Sequence, residues 1–216
     1  MNTFLTKFQL FIFIIVPLFV AFFLKWYFLP LWLLVSILLL YLFRQEENPA
    51  QEEAILEQRS LKLSPCHGVV HSVHTFDHHP LLNGPVIAIQ VKQKVWGEMG
   101  LRMPSDGEIK EMRQKSYRLI SRLFYFEIDR CRDSGINLVI QDPLKKSFAL
   151  QIEKYTFGLR PKVWVHAGDK GKRGACFGFL PFGGTILIYL PVEYQILVKP
   201  GDEVTAAETP IAALGE

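Results

Sequence analysis

Five histidines, His67, His71, His74, His78 and His79, fall within thirteen residues, with Cys66 and Asp77 beside them. Imidazole nitrogens, a thiolate and a carboxylate are ordinary zinc ligands. On a strand His67 and His71 would share one face, so a metal set drawn from His67, His71 and His74 is one expectation. The other is a strand running into a polar loop, Phe76-Asp-His-His-Pro80, whose histidines face water. No C-x-x-C or H-E-x-x-H spacing strengthens the metal, and on balance none is expected. The three cysteines, Cys66, Cys131 and Cys176, are too few and too scattered for a disulfide framework and fit a reducing compartment. As lone sulfur nucleophiles Cys66 and Cys176 are expected to be buried and inert.

Two stretches near the C-terminus repeat at a spacing of 33. Val165-His-Ala-Gly168-Asp169 leads to the apolar Phe177–Leu180, and Val198-Lys-Pro-Gly201-Asp202 leads to Ile211–Leu214. In each, a strand runs into a Gly-Asp turn and a second strand follows. Glycine supplies the positive φ and aspartate bonds the nearby backbone. Two such hairpins suit a small sandwich-like barrel of quasi-symmetric halves. The pattern resembles biotinyl and lipoyl carrier domains, but their modified lysine has no counterpart between the strands.

The elements that must position these residues are short. From Leu61 onward apolar runs alternate with turn signals, predicting strands at Gly68–Val73, Val86–Val91, Asn137–Ile140, Phe148–Glu153, Val163–His166, Ile186–Leu190 and Tyr194–Val198. Ile109 to Phe126 departs from this. Ile109, Met112, Leu119, Ile120 and Leu123 lie among Lys110, Arg113, Lys115, Arg118 and Arg122, which predicts either an amphipathic helix or strand-and-loop with basic edges. Its cations suit either a wet face or anionic headgroups.

Mean hydropathy of the 216 residues is +0.18, and the apolar excess is concentrated at the start. Residues 1–43 hold only Lys7 and Lys25 as charged side chains, leaving 22 of the 24 basic groups and all 21 acidic ones to residues 44–216. A nearly neutral remainder argues against a nucleic-acid partner, and 17 Phe with 4 Trp argue against disorder. Phe8–Leu24 and Trp26–Phe43 are uncharged runs of 17 and 18 residues, each at the short end of a membrane span. Lys25, Trp26, Tyr27 and Pro30 read as an interfacial turn between them. Residues 1–43 are therefore expected to be a transmembrane helical hairpin, 44–60 an acidic juxtamembrane stalk, and 61–216 a mainly β domain of barrel-sandwich type. Lys7 and Arg44 outside the spans against Lys25 in the turn place that domain on the cytoplasmic side. A cleaved signal peptide is the poorer reading, because the run is long and has no A-x-A site.

The strongest pattern is Lys172-Arg-Gly174-Ala-Cys-Phe177-Gly178-Phe179-Leu-Pro-Phe182-Gly183-Gly184-Thr185 followed by Ile188-Tyr189-Leu190-Pro191. It resembles the KKGE-x-FG-x-I-x-FGS core and YLP strand of the short bacterial phosphatidylserine decarboxylases. Three further pieces follow the family's order. Phe43-Arg44 through Asn48-Pro49 is similar to its exit from the membrane, Leu63-Ser-Pro-Cys-His-Gly68-Val69-Val70 to its SPADGKV strand, and Arg102-Met-Pro104-Ser-Asp-Gly107-Glu108 to NR-x-P-x-x-GEV. The resemblance implies a membrane enzyme of phospholipid biosynthesis at the bacterial inner membrane. Such an enzyme makes its own pyruvoyl cofactor when a serine hydroxyl attacks the preceding glycine carbonyl, and an Asp–His pair activates that serine.

Each of those positions departs from the pattern. Gly184 follows Gly183 where the family has serine, His67 stands at the aspartate, and Met99 stands at the histidine. Glycine offers no ester oxygen, so no catalytic residue is retained and no cofactor is expected. A pyruvoyl group would follow only if processing occurs after all. Thr185 is the one hydroxyl nearby, but one step along a strand turns it to the opposite face. The expected function is a lipid- or partner-binding pseudoenzyme, with active decarboxylation to phosphatidylethanolamine as the alternative and a metal-binding protein as a second. An aminophospholipid headgroup would place its ammonium at Glu98 or Asp106 and its phosphate at Arg102, with Phe182 lining the same site.

Overall fold

The computed structural model describes residues 2–3, 15, 29–42, 44–45, 61–82, 84–95, 97–115, 135–155 and 161–215. The chain forms two compact units, Met1–Glu47 and Asn48–Glu216.

In the first unit β1 (Asn2–Thr3) pairs antiparallel with β2 (Arg44–Gln45). Before β2 comes α1 (Leu29–Leu42), which opens on Pro30, a residue suited to a helix start because its missing N–H has no partner to lose there. Its 14 residues extend about 21 Å at 1.5 Å each. Among the described residues no helix is long and apolar enough to cross a membrane. Of the expected first span, Phe8–Leu24, all but Ile15 lies outside the described residues.

The second unit is mainly β. Its strands are β3 (Leu61–Leu63), β4 (Gly68–Phe76), β5 (Val86–Gln93), β6 (Gly100–Arg102), β7 (Gly107–Lys115), β8 (Gly135–Gln141) and β9 (Ser147–Tyr155). They continue as β10 (Lys162–Val163), β11 (Lys170–Gly171), β12 (Cys176–Phe179), β13 (Gly184–Pro191), β14 (Tyr194–Ile196), β15 (Glu203–Val204) and β16 (Pro210–Leu214). An eight-stranded sheet runs β11-β7-β8-β9-β13-β5-β4-β15, beside two three-stranded sheets, β10-β12-β6 and β14-β16-β3. The expected barrel does not close among the described residues: β11 and β15 are the two ends of the large sheet.

These orders read the same from either end once β3, β4, β5, β13, β14, β15 and β16 are matched with β6, β7, β8, β9, β10, β11 and β12. The second set is contiguous and sits inside the first, between β5 and β13. We call them the inner and outer halves. Their registers agree residue by residue. Val69 faces Lys92, Val70 faces Val91 and Ser72 faces Gln90 in the outer half. Glu108 faces Gln141, Ile109 faces Ile140 and Glu111 faces Val139 in the inner half, with the bulge at the same place. The two Gly-Asp turns also match. His166 N donates to Asp169 Oδ2 at 2.8 Å and Lys199 N to Asp202 Oδ2 at 2.7 Å. Gly168 N then reaches Ile109 O at 2.7 Å and Gly201 N reaches Val70 O at 2.8 Å. Gly168 has φ 96° and Gly201 φ 98°, the left-handed region where a side chain is strained.

The bulge explains the helix-like spacing. β7 is a strand, so over Gly107–Lys115 the strand alternative holds and the helix does not; residues 116–134 lie outside the described residues. In a regular strand residues three apart face opposite ways, but the extra residue at the bulge returns Met112 to the side of Ile109. Both pack into the main core. Val70 and Val73 do the same in β4. The other predicted strands are present within a few residues, except that Val163–His166 is reduced to β10, two residues long.

Strand alternation divides the large sheet's residues between two cores. Ile89, Val91, Leu138, Ile140, Leu150, Ile152, Ile186 and Ile188 face the small sheets, meeting Leu101, Phe177 and Ile211. Ala88, Val139, Ala149, Leu187 and Tyr189 face the other way and are covered by Phe76, Leu81 and Leu82.

Candidate functional site

Three segments far apart in sequence meet where β4, β5 and β13 come together. His67 precedes β4, whose Gly68 faces Gln93 at the end of β5. The backbone then turns: Lys94 N donates to His67 O at 3.0 Å, and a Cβ at Gly97 would lie 3.0 Å from the His67 Cβ. The third segment, between β12 and β13, docks on the second. Leu180 N donates to Met99 O at 2.9 Å and Phe182 N to the Met99 Sδ at 3.2 Å. A Cβ on Gly183 would stand 2.9 Å from Gln93 O. The three positions that the resemblance singled out, His67, Met99 and Gly184, are thus brought to one place.

The turn carrying Gly183 and Gly184 is strained. Phe182 has φ 56° and Gly183 φ 77°, and Gly183 N closes back on Leu180 O at 3.3 Å. A left-handed Phe costs on the order of 1 kcal/mol, which surrounding contacts must offset. Thr185 is buried in β13, facing Lys92, and by alternation lies on the side of Leu187 and Tyr189, opposite to Gly184.

Beside the turn lies a buried ion pair. Glu98 and Arg102 are 1% and 2% exposed, joined by Arg102 Nε to Glu98 Oε2 at 3.0 Å and Nη2 to Oε1 at 2.8 Å. Arg102 Nη1 donates to Gly174 O at 3.0 Å. His67 Nε2 stands 3.6 Å from Glu98 Oε2. Burial works against the Glu98 charge, but hydrogen bonds from His67 and Arg102 outweigh it and hold the carboxyl below its ordinary value. Gln93 Nε2 donates to Glu98 O at 3.1 Å, while its Oε1 is buried and has no hydrogen-bond partner among the described residues. Met99 is fully buried, and its sulfur accepts a weak hydrogen bond but cannot take a proton from a hydroxyl at neutral pH.

The other expected residues are dispersed. Arg102, read as a phosphate contact, has its guanidinium turned to Glu98 and Gly174 rather than outward. Asp106 is exposed and accepts the Arg173 N–H at 2.8 Å. His71 falls at the β4 bulge, out of alternation with His67, and is exposed, as are His74 and His78. His79 does not face water: it is 3% exposed, with its ring 4.2 Å from that of Tyr189. Among the described residues no three His, Cys, Asp or Glu side chains form a set that could hold a metal. Burial raises both the Cys66 and Cys176 thiols above their ordinary value, so neither is a thiolate. Sequence reasoning missed Gln93 and a second buried network, in which Lys62 Nζ donates to Asp142 Oδ2 at 2.7 Å and to Ser105 Oγ at 3.1 Å. One signal lay in plain view: Pro65 and Gly68 recur as Pro104 and Gly107, a spacing of 39.

The chain is similar to known proteins over much of its length. The family model described as phosphatidylserine decarboxylase matches residues 83–212. A phosphatidylserine decarboxylase proenzyme of Syntrophus aciditrophicus (strain SB) is 28% identical over 155 residues, covering 72% of either chain. Proteins of the same description from Polynucleobacter asymbioticus and Wolbachia pipientis wMel are 27% and 26% identical, over 86% and 91% of this chain and 81% and 84% of their own.

Proposed function

The chain belongs to the phosphatidylserine decarboxylase family, and from that premise we propose that it is a non-processing member, a membrane-held scaffold that binds an aminophospholipid headgroup or a protein partner. The observation that carries the reading is Gly184 at the self-splitting turn. A pyruvoyl group is made from a side chain bearing an oxygen on its Cβ, and Gly184 has neither atom. The residues present therefore do not fit that cofactor. The assisting groups are replaced with it: a thioether sulfur, not an imidazole, meets the Phe182 amide.

The headgroup reading is supported by charge and by an orphaned atom. Glu98 keeps a negative charge in a buried place, and the partnerless Gln93 Oε1 is an acceptor beside the same turn. Together they suit an ammonium donor, since an unsatisfied buried acceptor costs about 1–3 kcal/mol until something donates to it. Anchorage in a bacterial inner membrane, with the β unit on the cytoplasmic side, is supported by residues 1–43. Within α1 the large side chains Leu33, Leu34, Ile37, Leu38 and Tyr41 are exposed. The β1–β2 pairing joins both ends of the apolar stretch, as a returning hairpin requires.

Intact mass of the protein from cells tests the first claim. One species of 24.9 kDa is expected; two chains split near residue 183, the second capped by a ketone, would mean an active decarboxylase. For the ligand, the detergent-solubilised chain titrated with short-chain phosphatidylserine and phosphatidylcholine should prefer the first. Equal binding would remove the headgroup reading.

A further inference from the structure

The recess of about 620 Å³ at the end of the inner half is lined by Asp106, Glu108, Gln141, Asp142, Lys170 and Lys172 among others. It is the counterpart, across the duplication, of the place where His67 and Gln93 meet. Gly107 opens β7 and Asp142 directly follows β8, in the places that Gly68 at the start of β4 and Gln93 at the end of β5 hold in the outer half, and Lys170 holds the place of Glu203. The two ends treat that last position differently. In the outer half Glu203 is closed by Lys94 at 2.7 Å. Carrying the register across, the residue matched to Lys94 is Pro143, which offers Lys170 no charge.

The carboxylates of this recess are already answered. Asp142 holds buried Lys62 and also accepts from Tyr194 Oη at 3.2 Å and Lys146 N at 2.8 Å. Glu108 pairs with Lys110 at 2.7 Å. Asp106 takes the Arg173 N–H and lies in the field of the Arg173 guanidinium. Lys170 and Lys172 are exposed at the mouth, and among the described residues neither ammonium has a hydrogen bond or ion pair, although Lys170, opposite Glu108 in the ladder, lies in the field of that carboxylate. Two ammonium groups two positions apart on the backbone, neither held in an ion pair, above a concave wall whose carboxylates have other partners, form a field for a compact multivalent anion.

We propose that this recess is an anion site for a phosphate group, held by Lys170 and Lys172. The phosphate comes either from a free phosphate or phosphomonoester in solution or from the headgroup of an anionic lipid. The site stands apart from the Gly184 turn and does not depend on the reading given above.

The full chain in a neutral detergent is titrated with inorganic phosphate, and the chain reconstituted in phosphatidylcholine bilayers is compared with bilayers containing phosphatidic acid. In both, acetylation of individual lysines is followed by mass spectrometry. The expected result is saturable protection of Lys170 and Lys172, with Lys199 in the equivalent outer turn unprotected. Protection by inorganic phosphate assigns a soluble ligand; protection only in the phosphatidic acid bilayer assigns a lipid. The variant Lys170→Gln/Lys172→Gln should weaken phosphate binding at least tenfold, while Lys162→Gln/Lys199→Gln, with the same loss of charge, leaves it unchanged. Absence of protection with both probes, or equal loss in the two variants, overturns the site. The labelling needs only the unaltered chain, so a misfolded variant cannot obscure the result.

Discussion

The outer and inner halves are built on one register and put different chemistry at matching ends. At the outer end His67, Gln93 and the Gly183 turn crowd together over Glu98 and Arg102. At the inner end Asp106 and Asp142 border an open recess, and the buried cation is Lys62. Both ends bury an ion pair, yet the pairs are satisfied unequally. Asp142 would keep Tyr194 and the Lys146 N–H if its lysine were removed, whereas among the described residues the Glu98 carboxylate would keep only His67, 3.6 Å away. A duplicated fold therefore repeats backbone pairing faithfully, because hydrogen bonds and glycine contacts do not depend on side-chain identity. The charges at its ends are free to diverge.

Several experiments break or sharpen this contrast. The all-or-none case comes first. Gly184→Ser restores a hydroxyl at the outer turn, and the expected outcome is still one chain by intact mass, because Met99 and His67 leave it without its base. Cleavage in that single variant would show that the outer end kept a working proton acceptor.

Arg102→Leu is next. It strands Glu98 in the interior and should cost about 3–5 kcal/mol by urea unfolding. Lys62→Met, which removes the buried cation beside Asp142, should cost about 1–2 kcal/mol less, because Asp142 retains two donors. Equal losses would show that residual partners do not matter.

Gly68→Ala and Gly107→Ala probe the close approaches of β4 to β5 and β7 to β8. A Cβ at Gly107 would lie 2.7 Å from Gln141 O, and one at Gly68 nearer still to Lys92 O. Each should destabilise by about 2–3 kcal/mol, Gly68 more than Gly107, since a clash with backbone cannot be relieved by a rotamer.

Acid should act mainly through the outer end. Glu98 has a depressed carboxyl, so its contribution is present above the unfolded-state value of 4.5 and is lost as pH falls through the lower folded value. In Glu98→Gln that part of the acid dependence of the urea midpoint should disappear.

The smallest effects should be equal. Gly168→Ala and Gly201→Ala put a side chain into left-handed backbone with nothing within 4 Å to clash, costing about 1 kcal/mol each. A marked inequality between them would mean the two turns are not equivalent.

Much of this was readable in the residue order. Apolar runs between turn signals located most strands, and the 33-residue spacing of the Gly-Asp turns marked one part of the duplication. The proline and glycine pair repeated at spacing 39 marks the other part, a weak signal because it spans only the four residues Pro65–Gly68 and their neighbours differ. The Ile109–Met112 spacing misled for a physical reason: a bulge imitates a helical period, and local periodicity contains no information about which strand lies opposite. Likewise the five histidines are neighbours in sequence but not in space, since the bulge at His71 and the packing of His79 on Tyr189 send them to different surroundings.

By itself the residue order determined the absence of a hydroxyl at position 184 and the concentration of apolar residues before Arg44, because these are facts of composition at a place and need no partner. Only the tertiary structure decided that Glu98 faces Arg102 and His67, that Asp142 holds Lys62, and that Lys170 and Lys172 border a recess with its carboxylates already paired. Lys62 and Asp142 meet across 80 residues of chain, and even for Glu98 and Arg102, four residues apart, charge type alone does not choose among the partners the chain offers.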